Sequence, residues 1–163
     1  MAYKFLRGDG TGVFTRFAWP PPDRDAPGAW VEAPIVVCRS GIHACRVDDL
    51  PLWLGRELYA IELAGTIVEE RTKVVAERGR LLRRVAGWDD ATRAEYARAC
   101  ADRAHGYAAG LPDWDLAVEP TAAAGPAAIG FIAARIAEAR DGLAGYRAER
   151  ALQVAWLTAR LDL

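Results

Sequence analysis

The sequence predicts an α+β fold, in which a small, mostly antiparallel sheet in the first half is packed by about three helices in the second half. Short stretches of alternating apolar residues occupy residues 1–88, and from residue 89 onward small and apolar residues recur every three or four positions. Strands followed by helices are typical of α+β proteins rather than of alternating βαβ units. The length of 163 residues, with 52% hydrophobic and 26% charged residues, predicts one globular domain over residues 1–163, with a strand-rich half at 1–88 and a helical half at 89–163.

The first predicted strands form a hairpin near the N-terminus. Residues 3–6 are mainly apolar, and residues 13–19 alternate between apolar and polar side chains. The segment 8–12 between them contains three glycines, which favours a loose turn.

The other strand signals of the first half are short and separated by turn residues. They lie at residues 30–32, 35–38, 57–64, 66–69 and 81–85. The segment 57–64 is the clearest, because Tyr59, Ile61 and Leu63 share one face. Before it, residues 48–51 combine an acidic cap with an early proline, which predicts a short helix.

The second half of the chain has the periodicity of helices. The predicted helices cover residues 89–106, 126–141 and 144–161, and residues 112–125 are expected to form a loop. Gly142 separates the last two helices. Alanines at every third or fourth position of the first helix form a narrow stripe that would allow another backbone to approach closely.

Composition excludes several classes of partner. The net charge of −1 argues against general nucleic-acid binding, which needs a positive surplus. No apolar run approaches the roughly 20 residues of a membrane span, and the N-terminal residues lack the apolar segment of a secretory signal. We therefore expect a cytoplasmic protein without nucleic-acid or membrane partners. Its three cysteines are an odd number, so reduced thiols are expected.

The most unusual stretch runs from Cys38 to Cys45 and contains His43, one of only two histidines. Two thiols and an imidazole within eight residues could hold zinc if a fourth ligand came from elsewhere. The spacing C-x4-H-x-C differs from the paired C-x2-C pattern of zinc knuckles. The favoured interpretation is a turn whose cysteines pack as small apolar groups, and we expect no metal and no cofactor. A Cys–His nucleophile pair is a further alternative.

His43 is also the candidate general base, because the unperturbed pKa of histidine lies near neutrality. Glu62 is the candidate carboxylate to orient it, being the one charge inside an otherwise apolar strand. The alternative for Glu62 is an exposed position on the outer face of the sheet. The predicted ligand-binding residues are Trp19, Trp30, Trp53, Cys38, Cys45 and Arg39.

Cys100 and His105 repeat the C-x4-H spacing in the first predicted helix. Five residues on a helix separate two side chains by about 140° around the axis, so both cannot face one ion. A hydrogen-bonded structural histidine is therefore predicted at position 105.

Several spaced motifs of the first half resemble a known family. They are Phe17-x-Trp19-Pro20, Cys38-x-x-Gly41-Ile42-His43-x-Cys45, Asp49-Leu50-x-x-Trp53-Leu54, Glu62-Leu63-x-Gly65, Lys73, and Arg80-Leu81-Leu82-Arg83-Arg84 before Trp88-Asp89. Together they resemble a domain of unknown function found in actinobacterial and phage proteins. The pattern Thr92-x(7)-Cys100-Ala101-Asp102 is similar to a helical segment of immunity proteins in bacterial polymorphic-toxin systems. The resemblance implies no established reaction and no catalytic residues.

Two hypotheses of function follow. The first is a non-enzymatic binding protein that recognises a protein or small molecule, within a toxin-immunity or phage-related system. The second is a small enzyme, such as a cyclase, isomerase or hydrolase of actinobacterial metabolism, with His43 and Glu62 as acid–base residues in an aromatic pocket. A homodimer through the alanine-rich helices is a further partner that the pattern allows.

Overall fold

The computed structural model of the chain describes residues 1–36 and 39–163. The chain forms two compact units, Met1–Trp88 and Asp89–Leu163. The strands lie in the first unit and the long helices in the second, which confirms the α+β class. Within the part of the chain that is described, no helix is long and apolar enough to cross a membrane.

Five strands of the described residues form one antiparallel sheet. They are β1 (Ala2–Leu6), β2 (Val31–Glu32), β3 (Ile42–Ala44), β4 (Glu57–Glu69) and β5 (Val74–Arg84). The order is β1-β4-β5-β2, and β3 also pairs with β5, beyond the end of β2. A 3₁₀ helix, Val47–Leu52, follows β3 in place of the short helix predicted there.

The sheet closes on itself between β3 and β1. The backbone N–H groups of Tyr3 and Cys45 each donate to the carbonyl of the other residue, both over 2.8 Å. Because β1 pairs with β4 on its other side, β3 bridges β5 and β1. This short connection brings the first strand next to the His43 segment, 39 residues later in the chain.

One face of the sheet forms the apolar core of the first unit. Its buried members are Leu6, Trp19, Ile42, Ala44, Tyr59, Ile61, Ala76 and Leu81. The predicted face of β4 is confirmed, since Tyr59 and Ile61 are buried there and Leu63 packs against them. Ladder partners on neighbouring strands point to the same side, so Ile61 of β4 meets Leu81 of β5 in the core.

The predicted strand at residues 13–19 is wrong, because the chain turns back instead of extending. The N–H of Arg16 donates to the carbonyl of Gly12 over 3.0 Å, and Arg16 takes a left-handed φ of 55°. Isolated bridges join Leu6 to Gly12 and Thr11 to Ala18. The segment is therefore a loop that leaves the sheet, and its apolar residues are not part of a strand face.

Other strand predictions need smaller changes. β4 continues through Gly65, where a bulge with a φ of 77° joins the strands predicted separately at 57–64 and 66–69. β5 begins at Val74, well before the predicted start, and β3 was not predicted as a strand. The strand predicted at 35–38 falls partly on residues 37 and 38, which lie outside the described residues.

Three helices build the described part of the second unit: α1 (Asp90–Ala108), α2 (Pro112–Ala124) and α3 (Pro126–Leu161). The Asp89 side chain accepts a hydrogen bond from the Thr92 N–H over 2.8 Å and caps the start of α1. The loop predicted at 112–125 is wrong, because proline at the first helical position is compatible with a helix and Asp113 and Asp115 supply an acidic first turn.

The break predicted at Gly142 is confirmed. Its φ of 67° and ψ of −161° leave the helical region inside α3. The side-chain amide of Gln153 donates to the carbonyl of Gly130 over 2.8 Å, and a Cβ on Gly145 would lie 2.2 Å from the carbonyl oxygen of Ala137. The two parts of α3 therefore run antiparallel as a helical hairpin, and the close approach at position 145 requires glycine.

The alanine stripe of α1 is partly buried inside the second unit. Ala101, Ala104 and Ala108 are buried, whereas Ala94 is exposed. The small side chains allow α1 and α3 to pack closely within one chain. Much of the alanine stripe therefore packs inside the second unit.

Candidate functional site

A cavity of about 450 Å³ opens in the first unit. It is lined by parts of β1 and β3, by the looped segment 12–19, by residues 31–33, 39–41 and 52–54, and by Lys73. Its size falls within the range of about 300–1,000 Å³ that is usual for small-molecule sites. The looped segment that replaces the predicted strand thus forms one side of the cavity.

Aromatic side chains form two edge-to-face pairs along the cavity. The rings of Phe17 and Trp19 lie 5.8 Å apart at 84°, and those of Phe14 and Trp53 lie 6.2 Å apart at 89°. The indole N–H of Trp53 donates to the carbonyl of Thr72 over 2.6 Å, which fixes the ring against the β4–β5 turn. Trp19 is buried, whereas Phe14 is 81% exposed, so the aromatic lining extends from the core to the surface.

Lys4 introduces a charge into this apolar lining. It lies between Ala2 and Leu6 on the strand face that packs toward the core. Its ammonium donates to the carbonyl oxygen of His43 over 2.8 Å and lies 4.6 Å from the centre of the Trp19 ring. Burial lowers the pKa of Lys4 to about 8. The group is therefore a desolvated cation at neutral pH.

His43 lines the same cavity. The Nε2 atom is buried and has no hydrogen-bond partner among the described residues. Burial lowers the pKa of His43, and the positive charges of Lys73 and Lys4 lower it further, while Glu70 opposes them. The carboxylate of Glu70 lies 3.3 Å from the ammonium of Lys73. His43 is therefore a neutral imidazole in a cationic environment.

Cys45 also lines the cavity and is an inert thiol. Its Sγ donates to the carbonyl oxygen of Tyr3 over 3.4 Å, and burial raises its pKa to about 12. A protonated thiol is a poor nucleophile, so the Cys45–His43 version of the nucleophile pair lacks its reactive form. Cys38, the other predicted thiol, lies outside the described residues. Elsewhere, the described residues contain no group of three or more His, Cys, Asp and Glu side chains arranged to hold a metal.

Two predicted site residues lie away from the cavity, and their placement is a correction. The carboxylate of Glu62 accepts from Nε of Arg80 over 2.7 Å, because the β4–β5 register places these residues opposite each other. Glu62 thus occupies the outer face, the alternative position foreseen for it, and does not orient His43. Trp30 lies beneath the guanidinium groups of Arg78 and Arg80, at 4.9 and 4.6 Å, and does not line the cavity.

The structure brings together the other predicted residues that it describes and adds several that sequence reasoning missed. His43, Cys45, Trp19, Trp53 and Arg39 all line the cavity. Lys4, Lys73, Phe14 and Phe17 were missed. Lys4 could have been found by the same argument that selected Glu62, because it is a lone charge in an apolar strand and one of only two lysines.

In the second unit, His105 confirms the prediction of a hydrogen-bonded histidine. Its Nδ1 lies 2.8 Å from Asp115 and its Nε2 lies 3.1 Å from Glu119, both on α2. Cys100 is fully buried. The two side chains do not share a site, as the helix geometry predicts.

Comparisons with protein-family models, with curated proteins and with solved structures found no match for the chain. The resemblance to actinobacterial, phage and immunity proteins therefore stays a prediction.

Proposed function

We propose that this chain is a non-enzymatic binding protein that takes up a small, largely apolar molecule in the cavity of its first unit. The observation that carries the proposal is the cavity of about 450 Å³ with its paired aromatic rings. Sites for small molecules combine an apolar, aromatic lining with a few polar groups, which matches the lining found here.

The state of the polar groups favours binding over catalysis. General acid–base catalysis needs a titrating group within reach of the substrate, and nucleophilic catalysis needs an activated nucleophile. The Cys45 thiol stays protonated, and the Nε2 of His43 is buried. The carboxylate expected beside His43 belongs to Glu62, which instead pairs with Arg80.

The proposal can be tested with N-phenyl-1-naphthylamine, an uncharged apolar dye whose fluorescence rises on binding. We expect saturable binding to the native protein with a stoichiometry of one dye per chain. The Phe14→Ala variant should bind at least about fivefold more weakly, since truncation of an aromatic contact costs on the order of 1 kcal/mol or more. Phe14 is 81% exposed, so its removal should leave folding intact.

Phe131→Ala is the matched control. Phe131 is 51% exposed on α3 in the second unit and does not line the cavity. This variant should bind the dye as the native protein does. The absence of saturable binding, or equal affinities for the native, Phe14→Ala and Phe131→Ala proteins, would contradict the proposal.

A further inference from the structure

The charges that line the cavity are predominantly positive. Of the described residues, Lys4, Arg39 and Lys73 contribute cationic side chains to the lining, and Glu32 contributes a carboxylate. Glu32 already forms an ion pair with Arg78, whose Nε lies 2.9 Å from its carboxylate. The lining therefore carries an excess of positive charge over negative charge.

Lys4 is the buried charge in this set that no carboxylate of the described residues compensates. Among the described residues its ammonium contacts the carbonyl oxygen of His43 and the ring of Trp19, and neither carries a formal negative charge. No ion pair joins its ammonium to a carboxylate of the described residues. A buried charge is costly unless it is paired, so a lysine in this position is unusual in a protein without a ligand.

Lys73 differs from Lys4 because it has a carboxylate partner. Its ammonium lies 3.3 Å from the Glu70 carboxylate, and its side chain is 13% exposed. Arg39, by contrast, is exposed. Within the buried part of the cavity, one unit of positive charge therefore lacks a negative counterpart.

We propose that the ligand of this cavity is an amphipathic carboxylate, with one carboxylate group on the Lys4 ammonium and an apolar body along the aromatic lining. The inference rests on the proposed function and specifies its ligand class. An ammonium has three N–H donors, and one already serves the His43 carbonyl, so two remain for carboxylate oxygens.

The number of free charges favours a carboxylate over a phosphate. A phosphate monoester carries close to two negative charges at neutral pH, whereas a carboxylate carries one. Desolvating a second charge in the buried part of the cavity would need a second unpaired cation there, and Arg39 is exposed. Lys73 is held by Glu70, so a singly charged group matches the site better.

The test compares carboxylates with uncharged amides of the same shape. 2-Naphthoate and decanoate, and the corresponding 2-naphthamide and decanamide, are titrated into the protein at pH 6.5 by calorimetry. 2-Naphthyl phosphate is titrated in the same way as a separate comparison. At least one carboxylate should bind the native protein about tenfold or more tightly than its amide. In Lys4→Met the two affinities should come within about twofold of each other.

Arg98→Met is the matched control, because it also removes one positive charge, from an exposed position on α1. It should keep the native preference for the carboxylate. A second measurement uses only the native protein. Because the pKa of Lys4 is about 8, affinity for the carboxylate should fall roughly tenfold between pH 7 and pH 9 while that for the amide stays constant.

The outcomes separate the two proposals. If none of the four compounds binds at millimolar concentration, both the proposed function and the ligand class are overturned. If the amides bind as tightly as the carboxylates, the ligand class is overturned and the proposed function survives. A preference that persists in Lys4→Met rules out Lys4 as its source, and tighter binding of 2-naphthyl phosphate than of 2-naphthoate rules out the choice of a carboxylate.

Discussion

The ammonium of Lys4 donates a hydrogen bond to the backbone carbonyl of His43 over 2.8 Å. This bond joins β1 to β3 next to the bridge between Tyr3 and Cys45. The Lys4 ammonium and the His43 carbonyl therefore meet at the edge of one cavity although they are 39 residues apart, and no carboxylate of the described residues pairs with the ammonium. The arrangement leaves a cation available to a ligand at the position where the sheet closes.

Lys4→Met should stabilise the free protein at pH 7 by about 1–2 kcal/mol. The pKa of Lys4 falls from 10.5 to about 8, so the folded state disfavours the charged form. This lowering of the pKa corresponds to a cost to folding of at most roughly 3 kcal/mol at pH 7. The substitution also removes the favourable contacts of Lys4 with His43 and Trp19, so the expected gain in stability is smaller than this cost. Urea denaturation measures the change. A destabilised Lys4→Met protein would mean that the ammonium serves to hold the fold.

Lys73→Met is the control for this substitution and should have the opposite sign. It removes the ion pair with Glu70 and leaves a carboxylate that is 23% exposed without its partner. We expect a loss of stability of about 1 kcal/mol, because an unpaired and partly buried charge is costly. Equal stabilisation by both substitutions would point to net charge instead of burial as the cause.

The stability of the native protein should rise as pH increases from about 8 to 10.5. In this window the unfolded chain still holds a proton on Lys4 and the folded protein has lost it, so deprotonation favours the folded state. Lys4→Met should lack this component of the pH dependence. Denaturation curves of both proteins at pH 7.5, 9 and 10 provide the comparison, and parallel pH profiles would contradict the assignment.

Cys45 should resist thiol reagents in the folded protein. Its pKa of about 12 and its hydrogen bond to the Tyr3 carbonyl keep it protonated and buried. In a Cys38→Ser, Cys100→Ser background, Cys45 is the remaining thiol. Its reaction with Ellman's reagent at pH 8 should be at least about a hundredfold slower than in 6 M urea. A rate similar to that in urea would show that the thiol is accessible and titrates normally.

Features set by neighbouring residues were predictable from the sequence. The cap at Asp89, the break at Gly142 and the buried face with Tyr59 and Ile61 depend on local geometry and side-chain period. Residues 112–125 were not recognised as a helix, because the two prolines of this segment are also typical of loops. In the structure one proline occupies the first turn, where it costs little.

The site was less predictable because it depends on pairing between distant strands. Glu62 and Arg80 are 18 residues apart, and only the β4–β5 register shows that they neutralise each other on the outer face. Lys4 and His43 are 39 residues apart and meet because β3 bridges β5 and β1. Sequence reasoning therefore found the histidine of the cavity but assigned it the wrong charged neighbour.

Glu149→Gln should destabilise the second unit by about 2–4 kcal/mol. Glu149 is fully buried and accepts from Arg103 through both oxygens, each over 2.8 Å, and from the Tyr107 hydroxyl over 2.9 Å. Neutralising it leaves the Arg103 guanidinium without its counter-ion, which is the costly way to disrupt a buried pair. Urea unfolding followed by far-UV circular dichroism measures the loss.

The control for Glu149→Gln is Glu138→Gln. Glu138 pairs with Arg135 at the surface, where the exposed fractions of the two side chains are 30% and 47%. A surface ion pair contributes little to stability, so the free energy of unfolding of this variant should lie within about 0.5 kcal/mol of that of the native protein. Similar losses for the two variants would show that the buried network is no more important than an exposed ion pair.

The two histidines should titrate on opposite sides of 6.5, the ordinary pKa of the side chain. Hydrogen bonds to Asp115 and Glu119 raise the pKa of His105, whereas burial lowers that of His43. Because the pKa of His105 is raised in the folded protein, its bonds to α2 contribute their full stabilisation below pH 6.5. This contribution to the free energy of unfolding is lost as pH rises through the folded pKa. Imidazole proton shifts measured by NMR from pH 4 to 9 give both values, and His105→Gln identifies the resonances. If both rings titrate on the same side of 6.5, the electrostatic description of at least one site is wrong.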